Sequence, residues 1–221
     1  EGSMIRRYVT EFKLRRAEEW DGSPQQVSYQ IDQLGLEFQN GDEISLFFSR
    51  RFERVADDFD LFNDEATVLA GDYWVTRKGI RLESTNGRPV SVRASIYNGD
   101  FFGGESTSMR SSFDWRASGL LQVGGGYSST IADLGPDGSF TTQIGSATLD
   151  LFFSPELSLL NLAQYDNESD SIGWQSRLRW IYEPGCDFFF VVGSNWQRTD
   201  DGSILPTEQA INLKIAHTVR F

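Results

Sequence analysis

The last twelve residues of the chain, 210–221, constrain its fold more than any other segment. Apolar and polar side chains alternate there with period two, which predicts a β-strand with one apolar face. A terminal strand of this kind that ends on an aromatic residue is typical of a bacterial outer-membrane β-barrel, although the last strand of a soluble β-sandwich can show the same pattern. The apolar face carries Ile211, Leu213, Ile215, Val219 and Phe221, and the polar face carries Asn212, Lys214, Thr218 and Arg220. For a barrel, Ile215, Val219 and Phe221 are the expected insertion signal for the barrel-assembly machinery.

The hydropathy of the chain leaves strands as its only means of crossing a membrane. No run approaches the roughly 18 consecutive apolar residues of a membrane helix. The mean hydropathy of −0.38 does not argue against a barrel, because half of the residues in a barrel strand face water or a polar lumen. The aromatic share of 14% agrees with interfacial girdles, but it would also suit the core of a sandwich. Glu1 opens a polar segment without an apolar leader, so we expect a mature, truncated or non-exported chain.

About twelve strands follow one another along the chain, separated by turns. Asn40-Gly41-Asp42 and Asn86-Gly87 are strong hairpin signals, because Asn and Gly accept positive φ. Residues 54–72 form the longest irregular stretch, and its apolar side chains predict that it folds over other residues. The triplet Gly124-Gly125-Gly126 is followed by no GK[ST] sequence, so it indicates a bend or a close strand contact rather than a nucleotide loop. The prediction is an all-β fold: an antiparallel up-and-down transmembrane β-barrel, formed by residues 1–221 as one domain.

The connections between these predicted strands differ in length and charge. The even-numbered turns are short, whereas the odd-numbered loops are mostly longer and more acidic. Short periplasmic turns and longer extracellular loops are typical of a transmembrane barrel. The acidic loops suggest a rim that holds divalent cations and thereby contacts lipopolysaccharide phosphates, unless they are simply solvated loops. Outer-membrane lipid and lipopolysaccharide are therefore expected partners.

Basic residues gather on the face opposite the apolar one. A guanidinium facing lipid near the membrane midplane costs about 2–4 kcal/mol, so we expect these side chains to face a lumen. A basic lumen attracts anionic solutes, but arginines paired with carboxylates on facing strands would instead plug a narrow barrel. The predicted lumen-facing residues are Arg77, Arg81, Arg93, Arg110, Arg116, Arg177, Arg179 and Lys214, together with Asp114.

Several functional classes are disfavoured by the composition. The chain has one cysteine, Cys186, and one histidine, His217, so it cannot form an internal disulfide or a Cys/His metal cluster, and no metal or cofactor is expected. The net charge of −12 argues against nucleic-acid binding. His217 falls on the apolar face of the last strand, and Cys186 has no basic neighbour in sequence, so we expect no enzyme activity.

Several short motifs in the segment 154–192 are similar to those of a known protein family. They include Ser154-Pro155, Arg177-Leu178-Arg179-Trp180 and Asp187-Phe188, and the earlier segment 38–55 matches in the same way. The segment 154–192 resembles the C-terminal region of a bacterial outer-membrane family of unknown function whose longer members carry an N-terminal module like carbohydrate-binding family nine. The resemblance implies an outer-membrane barrel, a longer parent protein with further strands before Glu1, and no particular substrate. This chain lacks the sugar-binding module, and Cys186 stands where the family has Ser.

Three functions remain open at this point. The first is an outer-membrane β-barrel that forms a channel for small, anionic solutes. The second is a plugged barrel that serves as a membrane anchor or a partner-docking surface. The third is a soluble β-sandwich binding protein, in which the apolar faces would pack against one another.

Overall fold

The computed structural model describes residues 4–18, 20, 22, 24–199 and 201–218. Strands account for 78% of the chain, which confirms the predicted all-β class. A 3-10 turn at Gly135–Asp137 interrupts the strand pattern. Within the described residues, no helix is long and apolar enough to cross a membrane. Val219 and Phe221, two members of the predicted insertion signal, lie outside the described residues.

Twelve strands form one antiparallel sheet, as predicted, and each strand neighbours the next long strand along the chain. Two short strands, β4 (Phe59–Leu61) and β5 (Ala66–Val68), form a separate two-stranded sheet. The prediction that 54–72 is irregular throughout was therefore wrong. The long strands are β1 (Ile5–Glu18), β2 (Pro24–Phe38), β3 (Glu43–Val55), β6 (Gly71–Glu83), β7 (Val90–Phe101), β8 (Gly104–Arg116), β9 (Leu121–Asp133), β10 (Ser139–Ser154), β11 (Leu157–Asp166), β12 (Ser171–Glu183), β13 (Cys186–Arg198) and β14 (Ile204–His217).

The chain divides into two compact units. The first unit contains the residues up to Ser111 together with Ser128–Thr142, and the second contains Ser112–Tyr127 together with the residues from Gln143 onward. The first unit thus holds β1 to β7 and parts of β8, β9 and β10. The second unit holds the remaining parts of those three strands and β11 to β14.

The hairpin formed by β4 and β5 contributes to the buried core of the first unit. Val68 is fully buried, and it clusters with Ala66, Ala132, Leu134 and Phe140. Partly buried aromatic side chains pack against this cluster, and one of them, Phe62, stacks on Phe140. The hairpin therefore folds over the end of the sheet, as the apolar residues of this acidic stretch predict.

The connections show only part of the length asymmetry that the sequence suggested, since most odd-numbered connections are longer than the turns at 155–156 and 184–185 but one is not. Residues 56–70 form a long odd-numbered connection, but the odd-numbered connection between β7 and β8 contains only residues 102–103. It is as short as the even-numbered turns at 155–156 and 184–185. The predicted difference between the two sets was therefore too strong, because the strands extend further into the loops than the hydrophobic pattern indicates.

The glycine triplet of β9 lies against neighbouring side chains of the second unit. A Cβ atom on Gly124 would stand 2.6 Å from Thr148 Oγ1, and one on Gly125 would stand 2.7 Å from the Phe113 ring. Both contacts are shorter than real Cβ atoms adopt, so a larger residue at either position would have to displace the Thr148 or the Phe113 side chain. The triplet thus permits a close strand contact, one of the two interpretations that the sequence offered.

Candidate functional site

In most strands of both units, polar and apolar side chains alternate and so lie on opposite faces of the sheet. In an antiparallel ladder, directly paired residues point to the same side of the sheet. Arg77 of β6 is paired with Ser49 of β3 and with Gly99 of β7. The residue before Ser49 in β3, Phe48, points to the opposite side of the sheet and is paired with Lys78. We call the side that carries Arg77 the polar face of the first unit, and the opposite side its apolar face.

A cavity of about 430 Å³ opens on the polar face of the first unit. Three arginines line it: Arg51, Arg77 and Arg110. Arg77 is the central residue of β6 (Gly71–Glu83), and Arg110 is the central residue of β8 (Gly104–Arg116). The serine and threonine residues at the cavity are Ser28, Ser49, Ser108, Ser128 and Thr130. The structure therefore brings two of the predicted lumen residues, Arg77 and Arg110, into one basic and hydroxyl-rich site.

Arg77 is the most enclosed of these cations. Its Nη2 atom donates a hydrogen bond of 2.9 Å to Ser108 Oγ, which also accepts a 3.1 Å bond from Thr130 Oγ1. Its Nε–H is buried and has no hydrogen-bond partner among the described residues. Arg51 lies close enough to repel it electrostatically, and Arg51 is in turn bonded to Glu53 at 2.7 Å. Arg77 thus keeps an unused donor and an uncompensated charge within the described site.

An aromatic pair stands next to this cavity and depends on Gly79. Phe47 and Tyr97 meet edge to face with their ring centroids 5.2 Å apart, and both are paired with Gly79 in the ladder. A Cβ atom on Gly79 would lie 2.4 Å from the Tyr97 ring. The Tyr97 hydroxyl accepts a 3.0 Å hydrogen bond from Arg81 Nη2. Arg81, another predicted lumen residue, is therefore held against the aromatic pair.

Ion pairs occupy the ends of the polar face, close to the even-numbered turns. Arg93 Nε donates to Glu83 Oε1 at 2.8 Å, and Arg93 Nη2 reaches Asn86 in the adjacent turn. Arg7 pairs with Glu37 at 2.6 Å near the end of β2. Arg93, which the sequence placed with the lumen cations, thus has a carboxylate partner that Arg77 lacks among the described residues.

The polar face of the second unit carries another set of predicted residues. Arg177 and Arg179 both lie over the Phe189 ring, at 5.1 and 5.7 Å, and Arg179 also pairs with Asp187 at 2.9 Å. Lys214 is the ladder partner of Phe189, so it shares this face. Arg177 is the central residue of β12 (Ser171–Glu183). Cation–π contacts with Phe189 and one carboxylate therefore accommodate the two arginines.

Asp114 and Arg116 occupy alternate positions of β8 in the second unit. Asp114 is half-buried, whereas Arg116 is exposed at the end of the strand. Asp114 Oδ1 lies 3.3 Å from the position that a Cβ on Gly124 would take. These two residues are in the other unit from Arg110, so the sequence-based set does not form a single cluster within either unit.

The register also assigns a strand that sequence reasoning left open. β11 is apolar at successive positions, so its pattern alone gives no orientation. In the structure Leu160 is paired with Arg177 and Leu162 with Gln175. Leu160 and Leu162 thus share the face of the arginines, and Leu159, which is paired with Leu178, lies on the other face.

The opposite face of each unit exposes large apolar side chains. In β14, Ile211, Leu213 and Ile215 are 71%, 62% and 63% exposed, and they share this face as the terminal pattern predicts. Two polar side chains on this face bond to each other, since Ser176 Oγ donates a 2.8 Å hydrogen bond to Asn161 Oδ1. Further exposed apolar residues are Leu46, Ile80, Leu82, Val92 and Ile96 in the first unit, and Leu149, Trp174, Trp180 and Phe190 in the second.

Two neighbouring turns of the first unit are joined through Asp42. Its carboxylate accepts a 3.2 Å hydrogen bond from the Thr85 backbone N–H and pairs with Arg88 at 3.1 Å. These contacts, the Thr85 N–H first, lower the pKa of Asp42 below its ordinary value. In the second unit, hydrogen bonds from Thr199 and then from Ser203 lower the pKa of Asp201 in the same way.

Cys186 and His217 contact each other, although they are far apart in sequence. Cys186 Sγ lies 2.8 Å from His217 Nδ1, and the Tyr182 hydroxyl lies 3.3 Å from the same nitrogen. The β13–β14 ladder pairs residues 186 and 217 directly. The view that Cys186 has no basic neighbour therefore holds along the sequence but not in the fold. Extending the β13–β14 register by two pairs from Phe188–Ile215 would have revealed this contact.

The acidic loops use many of their carboxylates to organise their own backbone. Asp58 accepts the Ala70 N–H at 2.6 Å, and Asp133 accepts the Gly135 N–H at 2.8 Å. Among the described residues, no group of three or more Asp, Glu, His or Cys side chains is placed to hold a metal ion. The described loops therefore hold no ready-made cation site for the hypothesised contact with lipopolysaccharide. Glu19, Asp21 and Asp200 lie outside the described residues.

Comparison with known proteins assigns no family to this site. No protein-family model matches the chain, and a search of curated proteins returns no significant match.

Proposed function

We propose that this chain forms an outer-membrane β-barrel whose polar face lines a passage for small anionic solutes. The observation that carries the proposal is the separation of side chains by the twelve-stranded antiparallel sheet. Each unit exposes large apolar residues on one face. On the other face of each unit arginines stand at strand centres, in β6 and β8 of the first unit and in β12 of the second. A soluble sandwich would have to cover the exposed apolar residues.

The spacing of aromatic residues supports a membrane-spanning belt in the second unit. Trp180 is paired with Phe188 on β13, and Trp196 lies eight positions further along that strand. Eight residues at about 3.3 Å each cover about 26 Å, or about 20 Å perpendicular to a membrane at a tilt of about 40°. An apolar band of about 25 Å flanked by aromatic girdles is typical of outer-membrane barrels.

The position of the arginines supports an aqueous passage rather than a lipid contact. Arg77, Arg110 and Arg177 are central residues of 13-residue strands, which is where exposure to lipid would be most unfavourable. None of the three has a carboxylate partner among the described residues. A water-filled lumen lined by such residues would concentrate anions, because its low-dielectric walls focus the field.

Closure of the sheet is part of this proposal, since a barrel leaves no strand edge unpaired. The same proposal includes location in the bacterial outer membrane, contact with its lipid and lipopolysaccharide, and insertion by the barrel-assembly machinery. Membership of the outer-membrane family that the sequence resembles is a proposal too. It would make the chain the C-terminal part of a longer protein.

A plugged barrel is the second candidate, and the ion pairs favour it. Arg93–Glu83 and Arg179–Asp187 join charges on neighbouring strands, and such pairs can fill a narrow lumen. The β4–β5 hairpin also packs against Tyr73, which shares a face with Arg77 on β6. In this candidate the protein would serve as an anchor or a docking surface.

The first test is the mobility of the detergent-purified protein on SDS gels, with and without boiling. A closed barrel should migrate faster before boiling. Planar-bilayer recording in a salt gradient should then give a conductance with a reversal potential displaced toward the chloride potential. A heat-modifiable protein without conductance would replace the channel by the plugged anchor. A protein that remains in solution without detergent and shows no mobility shift would contradict the membrane proposal itself.

A further inference from the structure

The cavity on the polar face of the first unit has the chemistry of a binding site. Its volume of about 430 Å³ falls within the range of about 300–1,000 Å³ that is usual for small-molecule pockets. Arg51, Arg77 and Arg110 line it, and the described residues around it include no carboxylate. Arg51 repels Arg77 but is itself paired with Glu53 at 2.7 Å. Arg77 and Arg110 are therefore the lining arginines without a carboxylate partner among the described residues, and an anion between them would be attracted to both.

Arg77 shows which atoms are available to such an anion. One of its terminal nitrogens is engaged by Ser108, but its buried Nε–H has no partner in the described structure. A buried donor without a hydrogen bond is unfavourable, because it has lost its bond to water. Arg110 is exposed and has no hydrogen bond or ion pair among the described residues. Both side chains can therefore turn donors toward a ligand without giving up a protein carboxylate.

The rest of the lining selects among anions. Hydroxyl groups of Ser49, Ser108 and Thr130 and the amide of Gln30 surround the cations, and each can both donate and accept hydrogen bonds. Phe47 and Tyr97 form an apolar wall on one side. A phosphate monoester carries about −1.5 to −2 charge and three strong acceptor oxygens, which matches several guanidinium groups better than a single carboxylate does.

We propose that this cavity binds a phosphorylated polyol of the size of a hexose phosphate. The phosphate lies between Arg77 and Arg110, and the polyol hydroxyls bond to the serine, threonine and glutamine side chains against the aromatic wall. The inference rests on the proposed function in one respect, since the polar face must be open to water for the ligand to enter. It does not require that the ligand passes through.

The test is calorimetric titration of the full chain, folded in detergent micelles, with glucose 6-phosphate, glucose, and inorganic phosphate as separate probes. We expect saturable binding of glucose 6-phosphate that is at least tenfold tighter than binding of inorganic phosphate, and no binding of glucose. Arg77→Gln and Arg110→Gln should each weaken binding by about tenfold or more, because each removes a charge-assisted hydrogen bond. Arg77→Lys keeps the charge but loses the planar donor geometry, so it should also weaken binding.

The matched control is Arg93→Gln, which removes one positive charge from the same unit at a residue already paired with Glu83. Its affinity should stay within twofold of the wild type, and gel mobility without boiling verifies that each variant is folded. Equal losses in Arg77→Gln and Arg93→Gln would reveal a diffuse charge effect and overturn the site. Equal affinities for glucose 6-phosphate and inorganic phosphate would overturn the polyol. Saturable binding without bilayer conductance would support the binding site and reject the channel. Conductance without binding would support the channel and reject the binding site.

Discussion

Replacing Gly79 by alanine tests how the aromatic pair is built into the polar face. A Cβ atom at this position would lie 2.4 Å from the Ile96 carbonyl oxygen and 2.4 Å from the Tyr97 ring. The ring could turn away, but the carbonyl belongs to the neighbouring strand and can move only if the ladder moves. Since both Phe47 and Tyr97 are paired with Gly79, the substitution affects three strands at once.

The expected destabilisation follows from three contributions. Forcing a methyl group into a packed site costs about 1–3 kcal/mol. Displacing the Tyr97 ring also removes the hydrogen bond from Arg81 to its hydroxyl, and a hydrogen bond to a charged group contributes about 1.5–3 kcal/mol. Alanine recovers about 0.5–1 kcal/mol, because it restricts the unfolded chain more than glycine does. The net loss of unfolding free energy should be about 2–4 kcal/mol.

Urea unfolding of the protein refolded in detergent measures this loss. With a slope of about 3 kcal/mol per molar, a loss of 2 kcal/mol lowers the midpoint by about 0.7 M. Gly145→Ala is the matched control, since no atom lies within 4 Å of a Cβ built there, and its midpoint should not fall. Unfolding midpoints that agree for Gly79→Ala and the wild type would refute the claim that the ladder is tightly packed at this position.

Three further predictions concern other parts of the chain. The contacts of Asp42 lower its pKa. Their contribution to stability should therefore be complete above the unfolded-state pKa and disappear as pH falls through the lower folded-state pKa. The unfolding midpoints of wild type and Asp42→Asn should converge from pH 7 to pH 3, and a constant difference would contradict this. Val68→Ala removes fully buried methyl groups and should lower the unfolding free energy by about 2 kcal/mol. An unchanged urea midpoint would contradict this. Cys186 is 2% exposed, so maleimide labelling followed by mass spectrometry should be at least tenfold slower in the folded protein than after boiling, and equal rates would show that the thiol is accessible.

Much of the fold follows from the alternation of apolar and polar residues along the chain. Ile211, Leu213 and Ile215 share a face as predicted, and the hairpin turns at Asn40-Gly41-Asp42 and near Asn86 lie between consecutive strands. The alternation fails where both faces are apolar, as in β11, because only the pairing of Leu160 with Arg177 reveals its orientation. The β4–β5 hairpin was missed because each of its strands has only three residues.

The candidate site could be predicted less completely than the fold. The sequence identified Arg77 and Arg110 as sharing a face, since each occupies a polar position of its strand. It did not show that they line one cavity, because they are separated by β7 and the spacing depends on strand register. Nor did it distinguish them from Arg93, whose partner Glu83 lies ten residues away across a turn. The contact between Cys186 and His217 was hidden for the same reason, since it requires the exact pairing of two strands.

Five of the predicted lumen arginines differ according to their position in the strands. Arg93 and Arg179, which pair with Glu83 and Asp187, lie on strands joined by even-numbered turns, and their partners stand at or near the turn ends of those strands. In contrast, the central arginines of β6, β8 and β12 have no carboxylate partner among the described residues. If pairing served only to fill a lumen, the central arginines would have the greatest need of carboxylates, since mid-strand positions lie furthest from the two ends of a lumen. Their lack of such partners therefore favours a passage or binding site for anions at mid-strand, with ion pairs near the turns that maintain the positions of the strands.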